Sequence, residues 1–162
     1  TMALNLHSSN SEPDTAAFFY PHFGPRELGY EANEAALWED QVSFIKDVAS
    51  YYQNRIEEIP AEGGRYFASR YYPESWWWRN FKHQVMAITL ETVYGRGGYA
   101  PKWITPKEIR DLGLAVGYAI MTYHHIPING ARKNRAIEIL SRQVNRRFPA
   151  LYPPAAKDEG KE

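Results

Sequence analysis

Apolar positions recur at three- and four-residue steps along much of the chain, most densely from Tyr71 to Tyr94. Trp77, Trp78, Phe81, Val85, Ile88 and Thr92 fall on one stripe at helical spacing, and Met86, Leu90, Val93 and Tyr94 on another. Two stripes imply two neighbours, so the pattern predicts a central core helix over 71–94. Pro73 suits a first helical turn, Ser75 can cap the orphan N–H groups, and Gly95 marks the end.

The longest period runs over 31–59 through Ala35, Trp38, Val42, Ile45, Val48, Tyr52, Ile56 and Ile59. It predicts a helix with Asn33 as cap, Glu34, Glu39 and Asp40 near the positive end of its dipole, and Pro60 as its stop. The spacing is close to a heptad but short, which suits packing in a bundle. Gly63-Gly64 reads as a turn, and 95–103 as a loop. Thr105-Pro106-Lys107-Glu108 is a capping box with proline at the first helical position. The helix it opens is predicted to reach about His124. Its middle is apolar on all sides and so expected to be deeply buried. Gly113 and Gly117 sit one turn apart, which predicts close approach by a neighbouring helix, with the Trp-rich helix as the candidate. A last helix over 131–147 buries Ala136, Ile137, Leu140, Val144 and Phe148.

Other segments lack a period. Residues 1–15 are polar and expected to be flexible, and the charged tail 151–162 is expected to be disordered. Residues 16–30 are aromatic but broken by Pro21, Gly24, Pro25 and Gly29, so no long helix forms there. That stretch is predicted to lie as an extended arm across the core, or to dock on a second protomer. No strand pair stands out. The expectation is an all-α single domain, 16–150, of about four main helices in a bundle, with the aromatic arm attached.

Composition narrows the function classes. A length of 162 residues suits one ordinary core. The chain has no cysteine, which excludes disulfides, thiolate metal sites and cysteine nucleophiles and fits a reducing compartment, so a cytoplasmic protein is expected. The first residues lack a basic start and an apolar run, so no signal peptide is expected, and the apolar run 112–121 is too short to span a bilayer. Nineteen basic residues balance nineteen acidic ones, but not evenly along the chain. Residues 1–63 hold three bases against eleven acids, about −8; residues 64–150 hold fourteen against five, about +9.

The basic half supplies candidate anion-binding residues. Arg132, Arg135, Arg142 and Arg146 lie within a quarter turn on the last helix, and guanidinium groups suit phosphate. Arg79, Lys82, Arg96 and Lys102 are interleaved with aromatics that could stack on bases. Any solvated helix can present such a face, and the acidic first helix could neutralise it internally. Phe18, Phe19, Tyr20, Phe23, Trp76 and Trp103 are candidate protein-interface residues. The histidines, His7, His22, His83, His124 and His125, show no ligand spacing, so neither metal nor cofactor is expected. Glu91 is a lone acid in an apolar segment, and an acid–base pair with His83 or His124 is the one catalytic arrangement to consider. No phosphate loop, nucleophile elbow or zinc-protease motif occurs. The leading expectation is therefore a small non-enzymatic binding protein, its basic half meeting nucleic acid or another acidic surface and its acidic half meeting protein or another copy. The alternative is a protein–protein adaptor or immunity-type inhibitor working through its aromatics without nucleic acid, with an enzyme a distant third.

Overall fold

The computed structural model describes residues 1–9, 17–54, 56, 71–93, 96–97 and 102–128. Its elements are β1 (Met2–Ser9), β2 (Ala17–Tyr20), α1 (Ala32–Tyr51), α2 (Pro73–Phe81), β3 (Met86–Val93), the two-residue strands β4 (Arg96–Gly97) and β5 (Lys102–Trp103), and α3 (Pro106–Tyr123). All of them belong to a unit spanning Thr1–His125; a second unit, Ile126–Glu162, is described only over 126–128.

This architecture corrects the all-α expectation. A mixed sheet of order β1-β3-β2 forms the spine, with β1 parallel and β2 antiparallel to β3. The proposed central helix is two elements. Its Trp-rich half is a helix of nine residues, and its second half, M-A-I-T-L-E-T-V, is the middle strand. A 3₁₀ turn over Lys82–Gln84 separates them, with Lys82 at φ +51°. The strand mimics a helix stripe because Val85, Ile88 and Thr92 happen to continue the three- and four-residue spacing of Trp77, Trp78 and Phe81, although Met86, Ile88 and Leu90 alternate with Ala87, Thr89 and Glu91. Its β-branched Ile88, Thr89, Thr92 and Val93 favour the extended form.

Residues 2–9, expected to be flexible, form β1 along the full length of β3, from Met2 opposite Met86 to Ser9 opposite Val93. The aromatic arm supplies β2, which ends where Pro21 removes an N–H donor. One face of the sheet carries Met86, Ile88 and Leu90 with Met2, Leu4 and Phe19. They pack with Leu37, Phe44, Ile45 and Val48 of α1 and Leu112, Ala115, Val116 and Ala119 of α3. Gln41, fully buried in α1, joins helix to sheet: its Nε2 donates to the Ala87 carbonyl and its Oε1 accepts from the His22 N–H, both at 2.7 Å.

Both long helices differ in detail from their sequence patterns. α1 is capped by Glu31, two residues before the expected Asn33, with the Glu31 N–H donating to the Glu34 carboxylate at 2.9 Å. It stops at Tyr51 rather than Ile59; Tyr52 is extended, and Ile56 forms an isolated bridge with Ala17. α3 has the capping box read from the sequence: the Thr105 N–H donates to Glu108 Oε2 at 2.8 Å, and the Glu108 N–H to Thr105 Oγ1 at 3.3 Å. Its neighbour is α1, not the Trp-rich helix, and Gly113 and Gly117 face solvent. A Cβ at either glycine would meet nothing within 4 Å. Close approach therefore does not explain them. Gly113→Ala and Gly117→Ala should each raise stability by roughly 0.5–1 kcal/mol in denaturant titrations, because alanine restricts the unfolded chain and favours helix.

Buried phenols couple this core to pH. Burial pushes the Tyr52 hydroxyl up to about 12, with Glu108 and Asp111 adding to the effect. Burial also raises Tyr123, helped by Asp40 beside it, and raises Asp40 in turn, against the opposing hydrogen bond from Tyr123. The fold thus favours neutral Tyr52. Its contribution is complete below the ordinary phenol value near 10 and is lost as pH climbs toward about 12. Denaturation at pH 8 and pH 11.5 should show Tyr52→Phe losing about 1 kcal/mol less than the parent chain between them, the shift being discounted for partial solvent screening.

Among the described residues, no helix is long and apolar enough to cross a membrane.

Candidate functional site

The sheet face opposite α1 and α3 is polar near the carboxyl ends of its parallel strands. Alternation along β1 sends Leu4 toward the core and Asn5 and His7 to the other face. On β3 the same alternation pairs Thr89 with Asn5 and Glu91 with His7. Adjacent parallel strands hold such partners side by side, and the geometry shows it. His7 Nδ1 lies 3.1 Å from Glu91 Oε1 and 3.2 Å from Oε2. Against an ionised carboxylate, which only accepts, Nδ1 is the donor in this contact, and in the neutral ring Nε2, across from it, is then the acceptor. The His7 side chain is 65% exposed and that of Glu91 13%, so the imidazole meets solvent while the carboxylate is sheltered behind it.

One rung earlier the face is tied down. Asn5 Nδ2 donates to Thr89 Oγ1 at 3.1 Å, and the Thr89 hydroxyl donates to Glu74 Oε1. Glu74 comes from the first turn of α2 and is 3% exposed. Pro73 at the first helical position fixes that turn against the sheet. Beside the pair, Phe18 of β2 is opposite Glu91, and Tyr20, in edge contact with Phe18, is opposite Thr89. The backbone is held too, with Thr92 Oγ1 donating to the His7 carbonyl at 3.3 Å.

Chemically, a histidine oriented by a carboxylate can take or give a proton at Nε2, or offer that nitrogen to a metal. His7 and Glu91 make two possible ligands, and no group of three or more His, Asp or Glu side chains able to hold a metal occurs among the described residues.

The structure corrects the catalytic arrangement considered from sequence. Glu91 lies on a strand, not in a helix, and its partner is His7 rather than His83 or His124. The signal for His7 was present: Leu4 and Leu6 alternate with Asn5 and His7, a strand pattern inside a stretch that looks merely polar.

The expected binding residues scatter. Phe18 and Phe19 are 7% exposed, so their rings belong to the interior rather than to a partner surface. Tyr20 is half-buried, and Phe23 packs on Trp78 with tilted rings, their centroids 4.7 Å apart. Trp76 and Trp103 are exposed. Arg79 Nε donates to the Ser75 carbonyl at 3.1 Å, and the Lys82 ammonium sits 5.1 Å from the Trp78 ring. Arg96 and Lys102 belong to the paired strands β4 and β5. Arg132, Arg135, Arg142 and Arg146 lie outside the described residues.

The chain matches no protein-family model, no curated protein and no solved structure.

Proposed function

We propose that the His7–Glu91 pair is an acid–base catalytic centre and that the protein is a hydrolytic enzyme with water as the nucleophile. The observation that supports this reading is the pair itself: both carboxylate oxygens within 3.2 Å of Nδ1, on neighbouring parallel strands, near their carboxyl ends. Ligands of open α/β sheets gather outside the carboxyl ends of their strands, so a pair standing there is well placed to meet a substrate. Water is the nucleophile of choice because the chain has no cysteine and Thr89, two residues from Glu91 on this face, is already bonded to Glu74. In this scheme His7 Nε2 takes a proton from water as it attacks and returns it to the leaving group. Glu91 holds the imidazole in the reactive tautomer and balances the imidazolium that forms.

The test is a panel of ester, amide, glycoside and phosphate substrates assayed with the parent chain and with His7→Gln. Turnover of one class by the parent, lost in the variant while circular dichroism and melting are unchanged, supports the reading. Turnover that survives His7→Gln places the chemistry elsewhere. A parallel zinc titration separates the two uses of Nε2: activity that appears only with added zinc, and a zinc affinity lost in His7→Gln, assign the nitrogen to a metal instead of to the proton.

A further inference from the structure

We propose that the exposed aromatic face of α2 is a self-association surface whose occupant is a second copy of this chain. Tyr72 and Trp76 are one helical turn apart, and each leaves 51% of its surface exposed. Trp76, Trp77 and Phe81 are in mutual ring contact at 4.9–5.9 Å, and Phe81 is itself 38% exposed. Tyr71, at 79%, extends the patch toward the start of the helix. Large rings standing together in water are more often an interface than an accident of surface composition.

Charge selects the occupant. Over 71–84 the exposed charged side chains are Arg79 and Lys82, both cationic, while the one carboxylate, Glu74, is buried. Over 26–51 the chain carries six carboxylates against Arg26 and Lys46, and Glu27, Glu31 and Glu39 are exposed. The turn Lys82–Gln84, which follows the aromatic helix, packs on α1, so the basic turn and the acidic helix are neighbours in each molecule. A two-fold partner can then present acid to each basic turn and receive the same in return, which is how isologous dimers satisfy both halves at once.

The experiment is sedimentation of the whole chain from about 10 µM to about 1 mM, a range suited to an association of this size. A concentration-dependent dimer is expected, weaker at raised salt and weakened roughly tenfold or more in Trp76→Ala, as for an exposed aromatic anchor. Lys82→Glu should weaken it as well. Both side chains are exposed, so far-UV circular dichroism should not change in either variant. A monomer throughout the range overturns the proposal, and so does a dimer that neither substitution affects. A monomer that instead binds a polyglutamate peptide through Trp76 would leave the surface but replace the second copy as its occupant.

Discussion

Replacing Glu91 by glutamine should lower turnover by roughly 10²–10⁴-fold, the usual worth of a positioned acid–base group. The substitution keeps the shape of the side chain and an oxygen able to accept from His7 Nδ1, but removes the charge. The imidazolium that forms during proton transfer then loses its counter-ion, and the amide NH₂ meets a ring nitrogen that is also a donor. Only 13% of the Glu91 side chain is exposed, so water cannot take over the missing role cheaply. The measurement is kcat/KM on whichever substrate the parent chain turns over, with melting temperature as the control for folding. An effect under about threefold would sink the catalytic assignment, since that is well below what general acid–base catalysis contributes.

The largest stability effect should come from Gln41→Leu, at about 2–5 kcal/mol, though leucine is closer to an ideal core residue. Gln41 is fully buried and serves two backbone groups, the His22 N–H and the Ala87 carbonyl, at 2.7 Å each. Ala87 lies two residues before Thr89, where the pairing of β3 with β2 ends, so a side chain from α1 takes over near the end of that ladder. Leucine offers neither donor nor acceptor. Each backbone group it abandons costs about 1–3 kcal/mol, more than the added apolar contact returns. Urea titration of parent and variant gives the difference. Gln41→Glu is a useful companion: it keeps the acceptor for His22 and removes the donor for Ala87, so it should lose the half that belongs to the carbonyl, plus the cost of any buried charge.

What the sequence revealed depended on how local the cause was. The α3 capping box was legible because its determinants lie within four residues, Thr105 to Glu108. The period of α1 was legible too, but not its end at Tyr51, because Tyr52 and Ile56 continue the apolar spacing while serving a turn and a bridge to Ala17. Over 71–94 the alternation of Met86, Ile88 and Leu90 with Ala87, Thr89 and Glu91 is a strand period, but Val85, Ile88 and Thr92 also continue the helical spacing of Trp77, Trp78 and Phe81, and no glycine or proline separates Phe81 from Met86 to announce the change of period. With β3 misread as helix, β1 had no partner and looked flexible. His7 therefore had no reason to be near Glu91, because strand pairing, not local pattern, brings them together. The exposed Trp76 and Trp103 were legible as surface aromatics; Phe18 and Phe19 were not distinguishable from them by composition.

The hydrogen bond between His7 and Glu91 joins positions 84 apart in the chain. Such a closure has an entropic cost that the completed β1–β3 ladder offsets, so the pair is expected to assemble late in folding, after the locally encoded helices. The same arithmetic runs in reverse. Among the described strands β1 is an edge strand bonded only to β3, and an edge strand can peel from its neighbour while α1 and α3 stay folded. The His7–Glu91 contact would then be lost before helical signal is on warming, and amide exchange along Met2–Ser9 would report its lifetime.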